Sequence, residues 1–219
     1  MKLKSLASEF VVWRDGTARW KEEGKYKAST IWSFIRPKHE RVSWNKLVWS
    51  SINVPKHSFI SWMAILNRLP TRDRMKEWGI VIDGRCELCH NEMKSRNHIF
   101  FECSFSQEVW REVLKMNGLN RRVMRWEQEL EWARNRLKGK ALISVLLRTA
   151  WNAYIYHIWR ERNRRIFTQK EETWEQVLKH IKHDIRFRLD RIQNVKKAHV
   201  NMLLYRNRNL SEFFFVFDV

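Results

Sequence analysis

Proline and glycine are scarce in this chain, three and six in 219 residues. So little punctuation argues against a loop-rich or all-β protein and for long helices. Acidic residues are also in short supply: 24 Asp and Glu stand against 43 Lys and Arg, a formal net charge of +19. That deficit favours polyanionic partners, although charge describes attraction and not a site. No apolar run reaches the roughly 18 residues of a membrane span. The richest stretch, Ala141 to Ile158, is interrupted by Ser144, Arg148, Thr149, Asn152 and His157. No secretory leader is expected: Met1-Lys2-Leu3-Lys4 leads into Ser-Leu-Ala-Ser-Glu instead of an apolar segment. The glycine patterns of dinucleotide and P-loop sites are missing. Ser, His and Asp residues show no triad spacing.

Cysteine is the most informative scarcity. All three fall in one eighteen-residue window, Cys86-Glu87-Leu88-Cys89, with His98 and then Cys103. The C-x2-C-x8-H-x4-C spacing offers three thiolates and one imidazole, the ligand set of a closed tetrahedral structural zinc site. A tight C-x2-C turn brings two thiolates to one metal, and a second segment supplies the other two ligands. Within that segment Ile99, Phe100 and Phe101 are free to bury while His98 and Cys103 face the metal. Two other readings exist. The cysteines could be small buried hydrophobes, and His90, next to Cys89, is a rival ligand. Eight intervening residues give His98 the room to loop back. No cysteine remains for a disulfide, and free thiols without a leader suit a reducing compartment, nuclear or cytoplasmic.

Apolar content is 44%, enough for a packed core, with thirteen tryptophans and twelve phenylalanines. Phe10 to Trp13, a turn at Arg14-Asp15-Gly16-Thr17 and Ala18 to Lys21 predict a hairpin. Gly24 to Lys27 predicts a third short strand, and Ser29 to Ile35 a helix. Trp44, Leu47, Val48 and Trp49 share a helical face behind Ser43. Pro55 restarts the chain for a second helix, and Arg72 to Trp78 forms a third, ended by Gly79. Ser104-Phe105-Ser106-Gln107 reads as a capping box for a helix ending near Gly118. A further helix is expected over about 124–137. Ile143, Leu147, Ala150, Tyr154 and Ile158 give one long helix an apolar face. A second capping box, Thr173 to Gln176, opens another whose stripe runs Trp174, Val177, Ile181, Ile185, Leu189 and Ile192. The expected fold is mainly α: a helical domain with a Cys3His knuckle, a small N-terminal β-hairpin and two long C-terminal helices packed antiparallel. The division is 1–42 hairpin plus helix, 43–118 zinc-binding helical domain, 119–210 basic helical region and 211–219 apolar tail, Phe213 to Phe217 included.

Most tryptophans read as core, with burial expected for Trp44, Trp62, Trp78, Trp110, Trp151 and Trp174. Basic patches are candidates for nucleic-acid contact: Arg121, Arg122, Lys138 and Lys140, and the run Arg160, Arg162, Arg164 and Arg165. Arginines near aromatic rings can hold phosphates and stack on unpaired bases. The same run also suits the solvated end of a helix, and the charge pattern does not discriminate. A third patch is Lys182, Arg186, Arg188, Arg191, Lys196 and Lys197.

The flanks of the cysteine window carry a resemblance. Pro55-Lys56-His57-Ser58-Phe59-Ile60-Ser61-Trp62 and Asn67-Arg68-Leu69-Pro70-Thr71-Arg72-Asp73-Arg74 lead through Trp78-Gly79-Ile80 to the four ligands. His98-Ile99-Phe100-Phe101 and Ser106 to Trp110 follow. Together they resemble the zinc-binding domain that follows the polymerase in plant LINE-type (non-LTR) retrotransposon reverse transcriptases. Gly24 to Lys27 and Tyr156 to Phe167 extend the likeness over most of residues 24–167. The resemblance implies one structural zinc and a role in holding RNA or DNA. The chain lacks a Tyr-x-Asp-Asp polymerase motif and a carboxylate trio for ribonuclease H. The expectation is therefore a non-enzymatic, stand-alone zinc-binding remnant that contacts RNA or DNA, single-stranded or duplex, and does not bind membrane. The alternative is a zinc-stabilised protein-interaction module, or a domesticated or decaying fragment.

Overall fold

The computed structural model describes residues 11–14, 17–20, 40, 42–79, 85–91, 95–137, 139 and 141–190. The expected strand at Gly24 to Lys27, the helix at Ser29 to Ile35, the tail beyond residue 210, and Lys138, Lys140, Arg191, Lys196 and Lys197 lie outside them. The chain divides into two compact units, Met1–Val42 and Ser43–Val219. In the first, β1 (Val11–Arg14) pairs antiparallel with β2 (Thr17–Trp20). The register sets Val11 opposite Trp20, Val12 opposite Arg19, Trp13 opposite Ala18 and Arg14 opposite Thr17.

The second unit is helical among its described residues. Its elements are α1 (Asn45–Val48), α2 (Pro55–Ile65), α3 (Arg72–Glu77), a turn of π-helix at His98–Glu102, α4 (Ser104–Met116), α5 (Trp126–Arg136), α6 (Leu142–Thr168) and α7 (Trp174–Asp190). Local signals explain most of the boundaries. Pro55 occupies the first turn of α2, where its missing N–H is no loss. Gly79 and Gly118 take positive φ just past α3 and α4, the left-handed stop expected of glycine. The Thr173–Gln176 box closes as expected: the Thr173 N–H donates to Gln176 Oε1 at 2.9 Å and the Gln176 N–H to Thr173 Oγ1 at 3.4 Å. The Ser104 box does not form. Cys103, not Ser104, is the residue before α4, and Gln107 Nε2 instead donates to the Phe101 carbonyl at 2.8 Å.

The long helix α6 is the axis of the fold. Its stripe predicts one apolar face, yet Ser144 to Ile155 are buried without interruption. Other elements surround it: α2, α7, α4, α1 and the π turn all pack on it. A helix enclosed on every side buries its polar positions too, and each needs a partner. Asn152 Nδ2 donates to the carbonyls of Leu47 and Arg148, both at 2.8 Å. Arg148 Nη1 donates to the Leu137 and Gly139 carbonyls at 2.9 and 3.0 Å. Helix α7 returns antiparallel against α6, burying Val177, Leu178, Ile181 and Ile185.

The centre of the core is aromatic. Phe101 packs on Trp151 at 5.4 Å, on Tyr154 and Trp126 at 5.6 Å, and on Trp110 at 6.0 Å between ring centroids. Each such ring pair contributes about 0.5–1.5 kcal/mol beyond the area it buries. The Tyr154 hydroxyl donates into the carbonyls of Phe100 and Ser106, tying the π turn and the start of α4 to α6. One continuous core runs from Leu47 to Ile185, so packing does not stop at residue 118. Trp110 and Trp151 are buried as expected, and Trp44, Trp62 and Trp174 are half-buried. Trp78 is 55% exposed, a correction: it ends the short helix α3, whose residues bury no face. Trp126, on no expected stripe, is fully enclosed instead. Among the described residues no helix is long and apolar enough to cross a membrane.

Candidate metal centre

Two segments build the centre. The first is the turn Cys86–Cys89, closed by the His90 N–H donating to the Cys86 carbonyl at 2.7 Å and the Cys86 N–H to that of Asn91 at 2.9 Å. The second is the π turn, which places His98 at its start and Cys103 just past its end. A π turn carries one residue more per turn than an α-helix. Ile99, Phe100 and Phe101 between the two ligands are all buried, so the segment presents donors to one side and rings to the core.

The four donor atoms lie within 4.8 Å of one another. Cys86 Sγ and Cys103 Sγ are 4.0 Å apart, and Cys89 Sγ and His98 Nε2 are 3.4 Å apart. A tetrahedral ion with Zn–S near 2.3 Å and Zn–N near 2.0 Å requires edges of about 3.8 and 3.5 Å. The donors therefore stand almost where such an ion needs them. A soft set of three sulfurs and one nitrogen selects zinc over the hard cations. Cys86 and Cys103 are sealed in the core, while Cys89 and His98 line an open cleft of 810 Å³ with Arg85, His90, Ser95 and Glu102. His90 has a left-handed backbone and its Nε2 lies 4.0 Å from Glu171, and it is not one of the four converging donors. Of the two histidines, His98 is the one grouped with the three cysteines.

Without a cation the thiols constrain one another. The hydrogen bond shared with Cys103 holds Cys86 down to about 3, and the same bond pushes Cys103 above the ordinary thiol range. Burial raises Cys89. A bound divalent cation favours the thiolate form at every cysteine it touches.

Residues 26–110 match the family model for zinc-binding in reverse transcriptase. That segment is similar to this family. The four candidate donors, Cys86, Cys89, His98 and Cys103, all fall inside the matched residues. No curated protein and no solved structure matches the chain.

The centre is braced by residues that lie past the match, and the basic run supplies several of them. Arg165, its side chain 7% exposed, donates through Nη1 to the Glu87 and Leu88 carbonyls at 3.0 and 3.2 Å, and through Nη2 to that of Glu172 at 3.0 Å. Its Nε pairs with buried Glu161 at 2.8 Å, which also takes Arg164 at 3.0 Å and the Glu172 N–H at 2.8 Å. Arg162 is 3% exposed, with its guanidinium over the Trp159 ring and facing the Pro70 carbonyl. Burial, and then repulsion from Arg72, lower it to about 10. Arg121 is engaged as well, gripping fully buried Glu129 through two bonds of 2.7 Å and lying over Trp132. These four arginines hold the fold, and their guanidinium groups are occupied by protein partners. Of the described candidates for nucleic-acid contact, Arg122 and Arg160 are exposed. A charge run shows only its own charge, so Arg165 is misleading when read from it. The readable signal is Glu161, three and four residues before Arg164 and Arg165, an ion-pair spacing on a helix.

Proposed function

We propose that the Ser43–Asp190 region is a non-catalytic scaffold held by one structural zinc, which contacts RNA or DNA through its basic exterior. The observation that carries the first half is the enclosure of the centre. Four protein donors converge, two of them sealed in the core, and they leave no ligand position for the water that a hydrolytic zinc requires. The second half rests on the net charge of +19 and on cations that stay in solvent after the buried pairs are set aside. Arg122 and Arg160 are two of these, and Lys56, over the Tyr156 ring at 5.0 Å, is a third. The working compartment is the nucleus or the cytoplasm, where thiols remain reduced.

The test is filter binding of the zinc-loaded protein to single-stranded RNA and to duplex DNA across a salt series, with a chelated control. Binding should weaken by about 0.7–0.9 log units per log unit of salt for each phosphate contacted. Affinity that ignores ionic strength would refute the reading. One observation favours a protein partner: Trp49 and Phe59 are half-exposed, with their rings 6.3 and 5.7 Å from that of Trp62. An absence of any nucleic-acid binding at low salt would leave that reading standing.

A further inference from the structure

Away from the cysteines, three helices each send one ligating side chain to a common point. His57 on α2 is 1% exposed and His157 on α6 is 5% exposed, while Asp184 on α7 keeps 27% of its side chain in solvent. His157 Nε2 is 2.8 Å from Asp184 Oδ2, and His57 Nε2 is 3.3 Å from the same oxygen. All three donor atoms lie within 4.8 Å of one another. The second contact is longer by half an ångström, and buried His57 Nε2 completes no hydrogen bond of normal geometry. A satisfied His–Asp–His network would not leave that nitrogen orphaned.

We propose that His57, His157 and Asp184 form a second site for a divalent transition metal, separate from the thiolate centre. Two imidazole nitrogens and a carboxylate oxygen suit zinc, cobalt, nickel or ferrous iron, and no thiolate is involved. Bonds of about 2.0–2.1 Å to each donor set the donors about 3.3 Å apart. The His57–Asp184 pair already stands there, and the His157–Asp184 pair needs to open by about half an ångström. Burial, outweighing the pull of Asp184, lowers both histidines below 6.5, and a neutral imidazole is the form that ligates. Three protein ligands leave a position for water, and the partly exposed Asp184 gives it a route in.

The surroundings set the strength. Lys56 and Arg188 act on His57, Arg160 acts on His157, and the His180 ring stacks on that of His157 at 5.7 Å. His183 Nδ1 lies 3.5 Å from the other Asp184 oxygen. Nearby cations oppose an incoming metal, so this site is weaker than the thiolate centre and a chelator empties it first. When filled it joins α2, α6 and α7 at one point.

The experiment is a Co2+ titration of the metal-free full chain, followed by visible absorption. The first equivalent should bring thiolate charge-transfer bands. A second should add d–d absorption with no further charge transfer. Asp184→Asn and His157→Gln should abolish the second equivalent and keep the first, while Arg122→Gln, at an exposed position, keeps both. Saturation at one equivalent in the unsubstituted protein, even at millimolar free Co2+, overturns the proposal, as does a second equivalent that survives Asp184→Asn. Should the variants fail to fold, the stoichiometry of the unsubstituted chain decides alone. A missing charge-transfer band would instead indict the thiolate centre and leave the second site to be judged by its own bands.

Discussion

Arg165 holds the backbone of Leu88: its Nη1 donates to the Leu88 carbonyl at 3.2 Å across 77 residues of chain. Leu88 sits between the first two cysteines, so the C-terminal end of α6 fixes the turn that presents them. The guanidinium acts here as a planar fork, a geometry that lysine cannot copy.

Arg165→Gln should therefore loosen metal and fold together. It removes the brace on the Cys86–Cys89 turn and leaves buried Glu161 with Arg164 as its remaining arginine partner. Breaking a buried pair of this kind costs about 3 kcal/mol. Urea unfolding of the zinc-loaded protein should show that loss, and competition with a chelator should show weaker zinc retention. Arg165→Lys should recover only part of both.

Glu129→Gln is expected to be as harmful, by about 3–5 kcal/mol. The carboxylate is fully buried, accepts both arms of Arg121, and also takes the Met124 N–H at 2.8 Å. Thermal unfolding measures it. Arg122→Glu, one residue along and exposed, should leave the melting temperature unchanged and lower RNA affinity along with its salt dependence.

Cys103→Ala should unseat more than the knuckle. Phe100 and Phe101 share its short segment and lie in the aromatic core. Loss of near-ultraviolet circular dichroism in step with metal loss, for this variant and for the chelated protein, is the expected result. A near-native spectrum after complete zinc removal would contradict it.

Tyr154 predicts the alkaline limit. Burial raises its phenol well above the ordinary value of 10. A group whose folded pKa is raised is more protonated in the native state, so the stability it contributes is complete below pH 10 and declines as pH climbs past it. Urea midpoints should fall from about pH 10 upward. Tyr154→Phe should flatten that slope while starting about 1–2 kcal/mol lower, having lost the bonds to Phe100 and Ser106.

Much of this is readable from local rules. The four donors, the hairpin, the stops at Gly79 and Gly118 and the box at Thr173 all depend on residues a few positions apart. What escapes depends on distance. Nothing near Trp78 reveals that its helix buries no face. The wrapping of α6 by five elements hides behind a stripe that looks one-sided. Arg121 and Glu129 stand on opposite sides of the start of α5, so no helical spacing pairs them. His57, His157 and Asp184 come from three helices, and no local pattern joins them.

The π turn threads both ligation and packing through five consecutive residues, His98 to Glu102. Its amides report on two processes that elsewhere would be separable. Hydrogen exchange at Ile99 to Cys103 should proceed only when the whole Ser43–Asp190 body opens, so metal release and global unfolding would share one kinetic gate.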